Sequence, residues 1–181
     1  MNAMRAHWSA SQANWVAITM PSNAGTWPTN WFRLQKRNAP IAADLDDRAV
    51  DHGAQAGFER VEAIELPDTA PVVFAQIPAP PGAPTVLMYS HYDVVPVGDE
   101  SLWNTPPFEP TERDGRLYAR GAADDKAGIA AHLGAVRIFG DDLPVNLVMF
   151  IEGEEEVGSD TLPALLEAHH DALRADVIVI A

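Results

Sequence analysis

TVLMYSHYDVVPVGD, residues 85–99, begins with an apolar run and turns abruptly polar at His91. Thr85 to Ser90 reads as a short buried strand: six residues, apolar at the centre, with Pro84 before and a Pro/Gly-rich stretch after. The same design recurs at NLVMFIEGEEE (146–156), where the run Asn146–Ile151 gives way to acids. Continuous apolar runs of this length suit strands covered on both faces, as in the sheet of an α/β protein. Between them, Lys126–Phe139 carries Ile129, Leu133 and Val136 at i, i+4 and i+7, a helical spacing. Strand, helix, strand in that order predicts an α/β fold with a mostly parallel sheet flanked by helices.

Further elements extend the pattern. Val61–Leu66 and Val72–Ile77 are strand-like, and Pro78–Gly82 is a turn. Residues 96–115 are rich in Pro, Gly and acids and read as a long loop, followed by a brief strand at Arg116–Tyr118. Thr161–His169 reads as a helix and Asp176–Ile180 as a last strand. Ile41–Gln55 reads as a helix, with Gly57 just past its end.

Residues 1–40 differ from the rest. They contain four of the five tryptophans, four basic residues (Arg5, Arg33, Lys36, Arg37) and no acid, and they follow neither a 3.6 nor a 2.0 period. A disordered tail, a transit peptide and a stretch that is not the natural start of the protein are three readings; the composition favours the third. The expected division is therefore an atypical segment 1–40, packing poorly on the rest, and a domain from residue 41 to 181.

The formal net charge is −14 and the sequence contains no cysteine. Strong acidity argues against nucleic acid, which needs a basic footprint. Without cysteine there are no disulfides and no thiolate ligands, which fits a reducing, cytoplasmic setting. No apolar run approaches the ~20 residues that span a bilayer, so no membrane partner is expected.

Three polar clusters sit at element ends. His91-Tyr92-Asp93 follows the strand 85–90, Asp124-Asp125-Lys126 opens the helix 126–139, and Glu154-Glu155-Glu156 follows the strand 146–151. Each has a bland reading. A His-x-Asp pair is commonly a surface loop, Asp before a helix commonly caps it, and a Glu run commonly starts a helix. Together they carry more weight, because ligands of open α/β sheets bind outside the carboxyl ends of the strands. Histidine with carboxylates and no thiolate suits zinc, and also manganese or cobalt. Asp93 is spaced to hold the second ring nitrogen of His91. By contrast His132 reads as packed on its helix, His169 and His170 as a helix end, and Trp103, Phe108 and Tyr118 as pins for the long loop.

HYDVVPVGD (91–99), the PFEPTERDGRLYARGAADDKAG stretch (107–128) and IEGEEEVGS (151–159) resemble the metallopeptidase family of carnosinases and other dipeptidases, aminoacylases, succinyl-diaminopimelate desuccinylases and carboxypeptidase G. The likeness runs from about Pro71 to Ala181 and is closest to the dipeptidase branch. It implies the front part of a phosphorylase/hydrolase-like zinc exopeptidase catalytic domain. It also implies two Zn²⁺, with Mn²⁺ or Co²⁺ as substitutes, and a peptide or N-acyl amino acid as substrate. By that resemblance His91 is a ligand of one zinc, Asp93 orients it, Asp124 bridges the two, Glu155 is the general base and Glu156 a ligand of the second zinc. A slip of one residue within the Glu run would change the last two roles.

The family draws further ligands, an Asp and a His, from beyond the position equivalent to Ala181. It also carries a lid and dimerisation domain there, through which its members often form homodimers. Each zinc would keep two protein ligands here where a catalytic zinc wants three. The sequence as given is thus expected to be a truncated, inactive metal-dependent hydrolase. The alternative is a non-catalytic product or an acidic cation-binding domain.

Overall fold

The computed structural model describes residues 18–19, 57–65 and 69–181. The expected boundary after residue 40 and the helix Ile41–Gln55 lie outside the described residues.

The described residues form eight strands: β1 (Ile18–Thr19), β2 (Arg60–Ile64), β3 (Val72–Ile77), β4 (Thr85–His91), β5 (Thr111–Arg113), β6 (Arg116–Tyr118), β7 (Asn146–Glu152) and β8 (Val177–Ile180). The helices are α1 (Lys126–Phe139), α2 (Leu162–Ala168) and α3 (His170–Leu173). Five strands form the central sheet in the order β2-β3-β7-β4-β8. The β2/β3 and β3/β7 pairings are antiparallel, whereas β4 runs parallel to both β7 and β8. The sheet is therefore mixed, and its parallel half carries the polar clusters.

Alternation along the strands divides the core. Val73, Ala75, Met88, Leu147, Met149 and Ile151 face Ile129, Leu133 and Val136 of α1. Val72, Phe74, Leu87, Val148 and Phe150 face Leu165 of α2 and Leu173 of α3. Both faces of β7 are covered, which is why its sequence is apolar without alternation. Fully burying one such side chain contributes about 1.5–3 kcal/mol, so these two layers are what hold β4 and β7 in register. Met88 pairs with Met149 and His91 with Glu152, which brings the ends of both strands to one rim.

One region departs from the sequence reading. The stretch 96–115 contains a 3₁₀ turn at Glu100–Leu102 and the strand β5, which forms a hairpin with β6. Asp114 and Gly115 make its turn, both at positive φ (52° and 69°), the Asp-Gly signature of a tight two-residue hairpin. β1 adds to the outer side of β6, Ile18 opposite Leu117. The last strand forms as read: β8 lies at the edge of the sheet, and Val177, Ile178, Val179 and Ile180 are all exposed. Among the described residues no helix is long and apolar enough to cross a membrane.

Candidate metal site

His91 ends β4, and the next backbone donor, Tyr92 N–H, continues the ladder to the carbonyl of Glu152 (2.9 Å). Register thus sets the imidazole beside the loop that follows β7. The ring is buried, with 6% of the residue exposed. Its Nδ1 lies 3.2 Å from Asp93 Oδ1, and its Nε2 lies 3.0 Å from Asp124 Oδ1 and 3.8 Å from Glu155 Oε2. All three clusters singled out from the sequence meet at this ring.

Asp93 works in two directions. Its second oxygen accepts the backbone N–H of Glu156 (2.9 Å), tying the loop after β4 to the loop after β7. In return Glu156 Oε1 accepts the N–H of Val95 (3.3 Å). Glu156 is therefore at the rim, with its carboxylate turned to the β4 loop.

The three consecutive glutamates have separate surroundings. Glu154 is held by the hydroxyls of Thr69 and Thr161 and by Thr161 N–H (3.2 Å). Those bonds, Thr161 first, hold its carboxyl below the usual range. Glu155 is the member of the run nearest His91 Nε2. The 3₁₀ turn Glu155–Val157, closed by Gly158 in the left-handed region, produces this divergence.

Burial alone would push His91 down, but the hydrogen bond and charge of Asp93, with Asp125 and Glu155, raise it to about 9. Burial would raise Asp93, but the His91 hydrogen bond, the Glu156 N–H and the His91 charge outweigh it and leave it lowered. Burial raises Asp125, and burial with the charge of Asp124 raises Glu156. The cluster is thus rich in anions and draws a proton onto its one imidazole.

Whether a divalent ion fits can be tested on these distances. Two ligands about 2.1 Å from one zinc sit ~3.4 Å apart at the tetrahedral angle and ~3.0 Å apart when the angle closes to about 90°. The 3.0 Å between His91 Nε2 and Asp124 Oδ1 is compatible with that. A cation at Nε2 would also take the place of the proton that the carboxylates hold there. The donor set fits. Among the described residues, however, no group of three or more His, Asp or Glu side chains already converges as a set of ligands.

Sequence reasoning missed the supporting residues. Asp125 does not cap α1 with its side chain; its Oδ2 accepts His91 N–H at 3.0 Å. Lys126 is buried and donates from Nζ to the carbonyl of Tyr92 (3.1 Å). Tyr92 donates its hydroxyl to the carbonyl of Pro71 (2.6 Å). Tyr89 donates to the buried carboxylate of Glu152, one residue beyond the apolar run of β7. His132 is packed as expected, its Nε2 3.2 Å from the carbonyl of Tyr89. The aromatics also pin the loop: Trp103 Nε1 donates to Val97 O (2.9 Å), and Arg120 lies 5.2 Å over its ring.

Gly153 gives a direct check of this packing. A Cβ there would overlap the Tyr92 hydroxyl and lie 2.5 Å from Tyr92 Cζ and 2.8 Å from Ala70 Cβ. Gly153→Ala should therefore destabilise the fold by about 1–3 kcal/mol, read as a lower urea midpoint. Unchanged stability would show that the Tyr92 ring does not lie over Gly153.

Residues 87–181 match the family described as "Peptidase family M20/M25/M40". The chain is 48% identical over 103 residues to the cysteinylglycine-S-conjugate dipeptidase of Corynebacterium striatum, covering 54% of this chain and 22% of that protein. It is 38% identical over 178 residues to the human beta-Ala-His dipeptidase, covering 92% of this chain and 34% of that one. The crystal structure of human carnosine dipeptidase 1 superposes with a TM-score of 0.71 at 33% identity, over 84% of this chain and 36% of that chain. The chain thus spans about a third of the length of the human relatives it matches.

Proposed function

The chain belongs to peptidase family M20/M25/M40, and on that premise we propose that it supplies part of the metal centre of a dipeptidase-like hydrolase of peptide or N-acyl amide bonds. The observation that carries this is His91, oriented by Asp93 at Nδ1 and facing Asp124 and Glu155 at Nε2. The cysteine-free sequence fits action in the cytoplasm.

In this reading His91, Asp124 and Glu156 would hold two divalent ions, zinc first by donor chemistry, and Asp124 would serve both. Bound there, the ions would lower the pKa of water and polarise the scissile carbonyl. Asp93 fixes the ring of His91 so that Nε2 carries the free lone pair. Glu155, half-exposed beside Nε2, takes the proton of the attacking water and delivers it to the leaving amine. Both carboxylate oxygens of Glu154 are committed, Oε1 to Thr69 and Oε2 to Thr161, whereas Glu156 has one oxygen on Val95 N–H, so this reading gives the roles to Glu155 and Glu156.

The formal net charge of −14 favours a second reading: an acidic domain that binds a cation and turns nothing over. Both make the same first prediction. The 181-residue chain alone should bind Co²⁺ weakly and hydrolyse no dipeptide, because His91, Asp124 and Glu156 give each ion two protein ligands where a catalytic zinc wants three. Calorimetric Co²⁺ titration and an assay on a dipeptide panel check it. The readings part when residues 69–181 replace the matching segment of the human beta-Ala-His dipeptidase. Metal-dependent turnover of beta-Ala-His by the chimera supports the enzyme; a folded, metal-loaded but inert chimera supports the binding domain.

A further inference from the structure

Three consecutive residues, Asp124, Asp125 and Lys126, all engage His91 or Tyr92, and only the first of them has a role in the proposed chemistry. Asp125 Oδ2 accepts the N–H of His91 at 3.0 Å. Lys126 Nζ donates to the carbonyl of Tyr92 at 3.1 Å. Between these two points, Tyr92 N–H is held by Glu152 O at 2.9 Å. The backbone that carries the imidazole is thus gripped by an anion at its N–H end and a cation at its C=O end. The polarity is right at both ends, and charge-assisted bonds of this kind are the stronger ones.

The ordinary explanations for these two residues fail. Asp125 stands at the N-cap of α1 yet makes no side-chain cap bond. Lys126 is the first residue of that helix, where the helix dipole disfavours a cation, and lysine is rarely buried. At 9% exposure it is nonetheless buried, with Asp93, Asp124 and Asp125 as its charged surroundings.

Two glycines make room for the pair. A Cβ on Gly128, in the first turn of α1, would overlap Asp125 Oδ1. A Cβ on Gly121, at φ +74°, would lie 2.8 Å from Lys126 Nζ and 2.6 Å from Val94 Cγ1. Alanine would suit a helix better than Gly128 does, so the glycine there is accounted for by the carboxylate beside it.

We propose that Asp125 and Lys126 are positioning residues that clamp the His91–Tyr92 backbone from both ends and so aim His91 Nε2 at Asp124. The consequence for metal rests on the reading of His91 as a ligand; the clamp itself does not. The test uses the 181-residue chain with Asp125→Ala, Asp125→Asn, Lys126→Met and the Asp125→Ala/Lys126→Met double variant. Ring ¹⁵N resonances of His91 report its placement, those of buried His132 report the fold, and Co²⁺ titration reports affinity.

Asp125→Ala and Lys126→Met should each shift the His91 resonances while leaving those of His132 in place. Each should weaken Co²⁺ by about 10–100-fold, the range for lost supporting contacts to a ligand. Asp125→Asn keeps an acceptor oxygen and should restore most of both signals. The double variant should be no worse than the worse single one, since both act on one segment. Folded single variants with native His91 resonances would overturn the clamp, as would strictly additive losses. If Asp125→Ala does not fold, Lys126→Met and Asp125→Asn decide by the same His91 signals. If the unsubstituted chain binds no Co²⁺, the ligand reading fails, and the ring resonances alone still judge the clamp.

Discussion

Glu155→Gln should reduce dipeptide turnover by about 10²–10⁴-fold, the usual contribution of a general base, while metal content stays unchanged. The setting is the chimera in which residues 69–181 replace the matching segment of the human beta-Ala-His dipeptidase. The substitution preserves shape and removes the carboxylate's ability to hold a proton. Among the described residues the Glu155 side chain makes no hydrogen bond to the neighbouring loops of the kind that occupies Glu154 and Glu156. Its Oε2 lies 3.8 Å from His91 Nε2, near the ligands without being locked to one. That combination suits a group that must move a proton. Glu154→Gln is the internal control. It disturbs the contacts to Thr69 and Thr161, so it should cost stability and leave the rate of folded enzyme within a fewfold. The assay is turnover of beta-Ala-His with metal quantified on the same sample. Retained turnover in Glu155→Gln with loss in Glu154→Gln would move the base by one residue.

The parts of this architecture that were legible in the sequence are those fixed by burial. TVLMYS and NLVMFI are apolar without alternation because both faces of β4 and β7 are covered, and that alone places His91 and the glutamates at strand ends. The period of Ile129, Leu133 and Val136 likewise determined α1. The β5/β6 hairpin was hidden by composition: proline and acids on either side made Asp114–Gly115 look like more loop, though the dipeptide itself is a turn signal. β8 was legible as well: Asp176–Ile180 reads as a strand and Val177–Ile180 forms one, though its place at the sheet edge is a property of topology rather than of the run.

Within the site, residue type was legible and direction was not. Asp124 and Asp125 are chemically identical neighbours, and nothing local distinguishes them. The structure separates them by burial: the Asp125 carboxylate lies inside against His91 N–H, whereas three quarters of the Asp124 side chain is exposed. The same holds for the glutamates, where two threonines far apart in sequence select Glu154. Such assignments depend on long-range partners, which pattern reading along the chain cannot see.

Asp124→Ala should cost more metal than any other single substitution at this site, and the difference between the two aspartates makes the comparison sharp. Asp124 presents Oδ1 to His91 Nε2 at 3.0 Å and is otherwise open to solvent. Its removal takes away a donor without unmaking any packed contact, so stability should hold while affinity falls. In the proposed arrangement it serves both ions, and each would be left with a single protein ligand from this chain. That is too few to hold zinc or cobalt against water, so Co²⁺ binding should fall below detection, a loss greater than the ~10–100-fold expected for supporting residues. Asp124→Asn should behave nearly as badly, because a neutral amide neither bridges two cations nor offsets their charge. Asp125→Asn, one residue along, should be mild. The measurement is a Co²⁺ titration of the 181-residue chain beside its urea midpoint. Wild-type affinity in Asp124→Ala would remove this residue from the metal centre, and the pairing of His91 with Asp124 would then be an ordinary hydrogen bond.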